Sequence, residues 1–266
     1  MKFFDTHCHL NLSPLSDQFD TIVKQLEQQQ CYVNIVGIDL ASSLLAVEQA
    51  TKSEMLFCTI GIHPTNVCDI EDEQLIITTF EKLLANKVAN KIIAIGETGF
   101  DFYHFSSDQY QSQKVIQEKW FQIHYQLAKK YDLPLMLHVR DAHDVMVETL
   151  KTIDHYGIIH CFNQDYQTAL EYLKLNNNWM ISIPGVITFK KVDLLINAVA
   201  QVPLDKLLIE TDAPWLAPVP YRGKTNYPYY SKATLTKIAE IKNLDLNACA
   251  SVIWNNTMKI FKLNLK

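Results

Sequence analysis

QKVIQEKWFQIHYQLAKKYDLPLMLHV, residues 113–139, holds two periodicities in immediate succession. In its first part Ile116, Trp120, Ile123, Leu127 and Tyr131 recur at three- and four-residue intervals, which places them on one face of a helix. After Asp132 the pattern changes. LPLMLHV (133–139) is almost continuously apolar and of strand length, the signature of a strand buried on both faces. Helix and covered strand together form part of a β–α–β unit, and the same pairing is found along the rest of the chain.

Seven further runs read as strands: KFFD (2–5) leading into DTH, VNIVGI (33–38), LFCTIGI (56–62), KIIAIGE (91–97), YGIIHCF (156–162), WMISI (179–183) and KLLIETD (206–212). Helical patterns lie between most of them. In FDTIVKQLEQQ (19–29), Phe19, Ile22, Val23 and Leu26 share a face, and 231–242 and 246–262 also read as helices. Near-continuous apolar strands alternating with helices predict a parallel sheet covered on both sides. Eight such units in 266 residues predict one α/β domain spanning 1–266, a closed (β/α)8 TIM barrel. An open doubly wound sheet is the alternative.

The polar residues then fall into register. His7 and His9 end the first strand, His63 follows the third, and Glu97 ends the fourth. His138 and Arg140 end the fifth, His160 the sixth, and Glu210 and Asp212 the eighth. In a barrel these C-terminal ends converge on one face, where active sites form. A single histidine at a strand end is ordinarily a hydrogen-bonded structural residue. Here five of the nine histidines recur in the same register, so a metal centre is the better account of the set. Residues i and i+2 of a strand point to one side, so His7 and His9 face the mouth together and Cys8 faces away. Cys161 is out of phase with His160 and reads as packing.

Composition bounds the partners. The net charge is −5 with 20% charged and 48% hydrophobic residues, which suits a sizeable core and disfavours a duplex-coating protein. Neither a signal peptide nor an apolar run of membrane-spanning length is seen, and the six cysteines form no CxxC pair. A cytoplasmic protein with reduced thiols, no membrane association and no obligate protein partner is expected.

Eight motifs in order resemble the TatD family of metal-dependent deoxyribonucleases, a branch of the amidohydrolase-like barrels. DTHCHL (5–10) is similar to the family's opening His-x-His, GIHP (61–64) to its third-strand motif and IGETGFDFY (95–103) to its GExGLDYY-type motif. LHVR (137–140), HCF (160–162), PGVITFK (184–190), ETDAPWL (210–216) and RGKTN (222–226) follow in family order. The resemblance spans the chain. It implies two divalent ions: His7, His9, Glu97 and Asp212 hold one, and Glu97, His138 and His160 the other, with Glu97 bridging. It implies hydrolysis of single-stranded DNA, as a 3′ to 5′ exonuclease, with DNA repair as a setting. Glu97 and Asp212 are the catalytic candidates, Asp212 orienting the attacking water and accepting its proton. Imidazole and carboxylate ligands suit Zn²⁺ or Mn²⁺, whereas family members are commonly described as Mg²⁺-dependent, so all three ions stay open.

His63 resembles the family's substrate-contacting histidine, and Asp101 and Glu210 are expected to orient ligating or substrate-binding groups. Tyr103 and His104 are weaker candidates for substrate contact. The only two arginines, Arg140 and Arg222, both fall in strand-end motifs, and a guanidinium grips phosphate through two parallel hydrogen bonds. The alternative for Arg140 is an ion pair with Asp141 or Asp144. Lys224 and Lys190 stand near Arg222, as do Trp215, Tyr221, Tyr227, Tyr229 and Tyr230, a mixture that suits a single strand; a packed tyrosine-rich loop is the other reading.

The chain departs from the family pattern at Thr65-Asn66 after His63-Pro64, at Asn163-Gln164-Asp165 after HCF, and at Tyr227, where a glutamate is usual. The expected ligand positions are intact. Two other functions compete. One is a metal-dependent hydrolase of an amide or ester bond, such as an aminoacyl-tRNA deacylase; the other is a non-catalytic binding scaffold.

Overall fold

A computed structural model describes residues 1–103, 105–106, 108–175 and 178–265; His104 lies outside the described residues. The eight strands are β1 (Phe3–Cys8), β2 (Cys31–Val36), β3 (Leu56–Ile60), β4 (Ile92–Asp101), β5 (Leu135–Arg140), β6 (Gly157–Ile159), β7 (Trp179–Ile183) and β8 (Leu207–Ile209). They pair in sequence order, each parallel to the next. The helices are α1 (Phe19–Gln29), α2 (Leu40–Ala50), α3 (Glu73–Ala85), α4 (Tyr110–Tyr131), α5 (His143–Leu150), α6 (Tyr166–Lys174), α7 (Asp193–Gln201), α8 (Ser231–Lys242) and α9 (Leu246–Ile260). This is the expected barrel and excludes the open sheet. None of the described helices is long and apolar enough to cross a membrane.

The barrel closes between β1 and β8 without a regular ladder, through a single bridge between Cys8 and Ala213. Side chains and two further backbone bonds supply the rest of the seam; in one of these the His9 N–H reaches the Ala213 carbonyl at 2.7 Å. Asp5 Oδ1 accepts the Thr211 N–H at 2.8 Å and Oδ2 accepts the Thr211 hydroxyl at 2.5 Å. Thr6 donates its hydroxyl to the Ile209 carbonyl at 2.9 Å, and the Asp212 N–H reaches the His7 carbonyl at 3.0 Å.

β2 and β3 end two residues short of expectation, at Val36 and Ile60, and three strands depart further. β8 stops at Ile209 and not at 212 because Asp5 takes the Thr211 N–H and Asp212 turns to φ +56°. β6 stops at Ile159 because Cys161 adopts φ +49° and gives its N–H to Glu210. β4 runs on to Asp101 because its second half pairs with β5, from Thr98–Leu137 to Asp101–Arg140.

The barrel interior is layered. Phe4, Phe57, Ile93, Met136, Ile158, Met180 and Leu208 fill one end, which Ile260 and Phe261 close. Above them lies a polar layer: Thr6 bonds Ser182 at 2.9 Å, while Asn34 bonds Thr59 at 2.8 Å and the Thr6 carbonyl at 3.0 Å. Outside the staves a larger apolar cluster packs the helices, with Trp120, Phe121 and Leu127 from α4.

α4 also reaches toward the site. Buried His124 accepts the Ile62 N–H at Nε2 (2.9 Å) and donates from Nδ1 to the Trp120 carbonyl (2.7 Å), a pattern that only a neutral imidazole satisfies. Burial, opposed by the Trp120 carbonyl, holds its pKa down at about 4. Above the unfolded value of about 6.5 both states are neutral; below it the unfolded chain takes up a proton that the native chain refuses. Stability is therefore lost as pH falls from about 6.5 to about 4, with His124 contributing about 3 kcal/mol of the loss. Urea unfolding across this range should show the slope, and His124→Gln should flatten it by that share.

Candidate metal centre

The C-terminal ends of the strands surround a cavity of about 730 Å³. His9, His63, Glu97, His138, His160 and Asp212 line it, with Arg140 and Trp215 on its walls. His7 and Glu210 are not part of the lining; both are fully buried beneath it.

Two irregular strands aim the central groups. Between Asp5 and Cys8, β1 advances three residues while β2 advances two, from Val33 to Ile35. Phe4 and Thr6 already belong to the barrel interior, so strict alternation would turn His7 toward the helices. The extra residue resets the phase: His7 and His9 face the mouth, and Cys8 joins the outer core. β4 does the same between Ile95 and Thr98, opposite Leu135 and Leu137. Such bulges re-aim side chains next to active sites. The one in β4 sits at Gly96–Glu97, where the strands are pressed together. A Cβ on Gly61 would lie 2.3 Å from the Gly96 carbonyl carbon, and one on Gly96 would lie 2.5 Å from the Met136 oxygen.

Glu97 divides the donors into two sets. Around Oε2, His7 Nε2 lies at 3.4 Å and His9 Nε2 at 3.8 Å; Asp212 Oδ1 is 3.7 and 3.5 Å from the same nitrogens, which are 3.2 Å apart. Around Oε1, His138 Nδ1 and His160 Nε2 each lie at 2.8 Å, and His63 Nε2 at 3.5 Å. Tetrahedral ligands about 2.0–2.2 Å from a cation are spaced roughly 3.3–3.6 Å apart, close to the spacing of the first set.

Tautomers sharpen this fit. His9 gives its Nδ1–H to the Val36 carbonyl at 3.0 Å, so its Nε2 lone pair faces Asp212 and Glu97. His138 gives its Nε2–H to Asp101 Oδ2 at 3.0 Å, so its Nδ1 lone pair faces Glu97 Oε1. Lone pairs facing carboxylate oxygens require a proton or a cation between them. Burial would lower the pKa of His9, His138 and His160, but the charges and hydrogen bonds of Glu97, Asp212, Asp101 and Glu210 outweigh it and raise all three. Burial would raise Glu97 and Asp212, yet the imidazoles hold both below the usual carboxylate range. His7 is the exception, lowered by burial and by neighbouring His160. The site is a cation-shaped arrangement of borderline imidazole nitrogen and hard carboxylate oxygen donors.

The remaining sequence candidates separate. His63 accepts the Thr65 N–H at Nδ1 (3.2 Å), which leaves its Nε2–H directed toward Glu97. Arg140 lies over the Tyr103 ring at 3.5 Å, and among the described residues it forms no ion pair with Asp141 or Asp144. Arg222 and Lys224 do not line the cavity. Both are exposed, and Arg222 is stacked on Phe189 at 3.8 Å. The tyrosines pack on one another, Tyr221 against Tyr230 at 3.7 Å and Tyr227 against Tyr229 at 5.4 Å; only Trp215 of that aromatic group lines the cavity. Cys161, expected to be packing, contributes to the cavity wall.

Sequence reasoning missed Asp5, Thr211 and Asn226. Asn226 donates to the Thr211 and Trp215 carbonyls at 2.9 and 2.6 Å, clamping the loop that carries Asp212. Within RGKTN the asparagine therefore clamps the loop on either side of Asp212, whereas Arg222 reaches it only further on, at the Ala217 carbonyl (3.4 Å). An aspartate inside an apolar strand was the available signal for Asp5.

Comparison with known proteins agrees with this geometry. Residues 4–262 match the family described as TatD related DNase. An uncharacterized metal-dependent hydrolase of Mycoplasma genitalium is 38% identical, covering 98% of this chain and 99% of its own. One from Bacillus subtilis is 34% identical over 98% and 99%. The crystal structure of an Escherichia coli TatD homolog superimposes with a TM-score of 0.87 at 26% identity, covering 98% of both chains.

The pressed glycines generate a test. Gly61→Ala should destabilise the protein by about 1–3 kcal/mol in chemical unfolding. It should also weaken Mn²⁺ binding, because the atoms that must yield carry Glu97.

Proposed function

This chain belongs to the TatD related DNase family of metal-dependent hydrolases, and we propose that it shortens single-stranded DNA from the 3′ end by hydrolysing phosphodiester bonds. The observation that carries the proposal is Glu97, whose two oxygens serve separate donor sets on the floor of a cavity walled by Arg140 and Trp215. His7, His9, Glu97 and Asp212 would hold one divalent ion, and Glu97, His138 and His160 a second. Ions at such positions lower the pKa of water and offset the charge of a phosphodiester.

The chain's own groups do the rest. Asp212 lines the cavity with a carboxylate kept ionised by its imidazole neighbours, so it can orient water and take its proton. Among the described residues Arg140 has no carboxylate ion-pair partner, so its guanidinium can grip the non-bridging phosphate oxygens. His63 offers its Nε2–H as a further donor. Half-exposed Trp215 gives a terminal base a face on which to stack. Asp101 fixes the tautomer of His138 through its hydrogen bond.

The test uses metal-stripped protein, a 5′-labelled single-stranded oligonucleotide, and Mg²⁺, Mn²⁺ or Zn²⁺ restored separately. A ladder receding from the 3′ end is expected, and Glu97→Gln should lower its rate by about a thousandfold or more. Undiminished cleavage by that variant would refute the mechanism. No cleavage with any bound ion would favour an amide or ester hydrolase. Arg140→Lys should raise KM about tenfold by removing a bidentate contact, and Arg222→Lys should have the smaller effect.

A further inference from the structure

Donor accounting beneath the two sets leaves three buried atoms unmatched: His7 Nδ1, His160 Nδ1 and Glu210 Oε2. They belong to neighbouring groups. One ring nitrogen of His7, one of His160 and a carboxylate oxygen of Glu210 lie within 4.8 Å of one another. The two imidazoles stack almost parallel, 3.9 Å apart at 12°. Each turns Nε2 toward Glu97, His7 to Oε2 and His160 to Oε1. Nδ1 is therefore the nitrogen left on the far side of each ring. Glu210 is fully buried; its Oε1 accepts the Cys161 N–H at 2.6 Å and lies 3.4 Å from His160 Nδ1. Among the described residues no lysine or arginine pairs with it; its only ion-pair neighbour is His160.

We infer that Glu210 is a positioning carboxylate shared by both donor sets, accepting the Nδ1–H of His160 and of His7. The inference rests on the reading that both histidines ligate through Nε2. A ring that spends its Nε2 lone pair on a cation must carry its proton on Nδ1, and a buried N–H needs an acceptor. His160 Nδ1 lies 3.4 Å from this carboxylate and a ring nitrogen of His7 within 4.8 Å of one of its oxygens, while Oε2 is unspent. Asp101 performs this task for one ligand, His138. Glu210 performs it for one ligand of each set, so it ties the orientation of the two sets together. Glu210→Gln keeps the size but places an NH₂ group where an acceptor is required.

Calorimetric titration of metal-stripped protein with Mn²⁺ tests this. Wild type should show two binding events. Asp101→Asn should weaken one of them, and Glu210→Gln should weaken both by about 10–100-fold, with circular dichroism checking the fold. Weakening of one event or of neither would overturn the inference. So would loss of a whole ion with the others unchanged, which would mark a third cation beside Glu210. Wild type that binds no Mn²⁺ would instead refute the parent reading. Nitrogen NMR of wild-type imidazoles needs no variant: His7 and His160 should both be protonated at Nδ1, with downfield, hydrogen-bonded protons. A neutral ring protonated only at Nε2, at either position, would overturn the shared-acceptor role whether or not the variant folds.

Discussion

One buried carboxylate organises the molecule. Glu97 is 2% exposed, and five imidazoles approach its two oxygens within 4 Å. A lone carboxylate at such depth would be expelled or protonated. It persists because each oxygen has its own set of nitrogens, and those nitrogens persist because other groups fix their far sides: Val36 for His9 and Asp101 for His138. The polar layer of Thr6, Asn34, Thr59 and Ser182 beneath them lets the barrel interior change from hydrocarbon to ionic chemistry. The apolar layer closed by Ile260 and Phe261 stays at the opposite end.

The fold was legible because a parallel barrel imposes long, strong patterns. All eight strands came from continuous apolar runs, and most of the strand-end polar residues meet at one mouth. Strand ends were less legible. Sequence alternation assumes an unbroken pleat, whereas β1 and β4 each carry an extra residue beside the groups that matter. His7 and His9 share a side, as period two predicts, but that this side is the interior depends on the bulge before Cys8. Likewise, Thr211 looked like the continuation of a strand, and Asp5 had already claimed its backbone.

The motif RGKTN shows a different limit. Residue chemistry directed attention to Arg222 and Lys224, the groups able to meet phosphate. The structure puts both outside the cavity and gives the clamp on the Thr211 and Trp215 carbonyls, beside Asp212, to Asn226. A hydrogen-bond clamp on backbone carbonyls leaves no periodic or compositional trace, so pattern reading passes over it. The tyrosines illustrate the same limit: whether aromatic faces are free or stacked on one another depends on contacts that spacing does not encode.

The seam between β1 and β8 has a consequence for the order of events during synthesis. The groups around Glu97 Oε1 come from the middle of the chain, 63 to 160, whereas those around Oε2 join His7 and His9 to Asp212. The second arrangement spans about two hundred residues of sequence and forms only after the last stave has docked on the first. A growing chain can thus gather half of its charged centre early, while the other half waits for the circle to close. Assembly of the complete donor set then coincides with completion of the barrel, and a partly made chain carries only half of it.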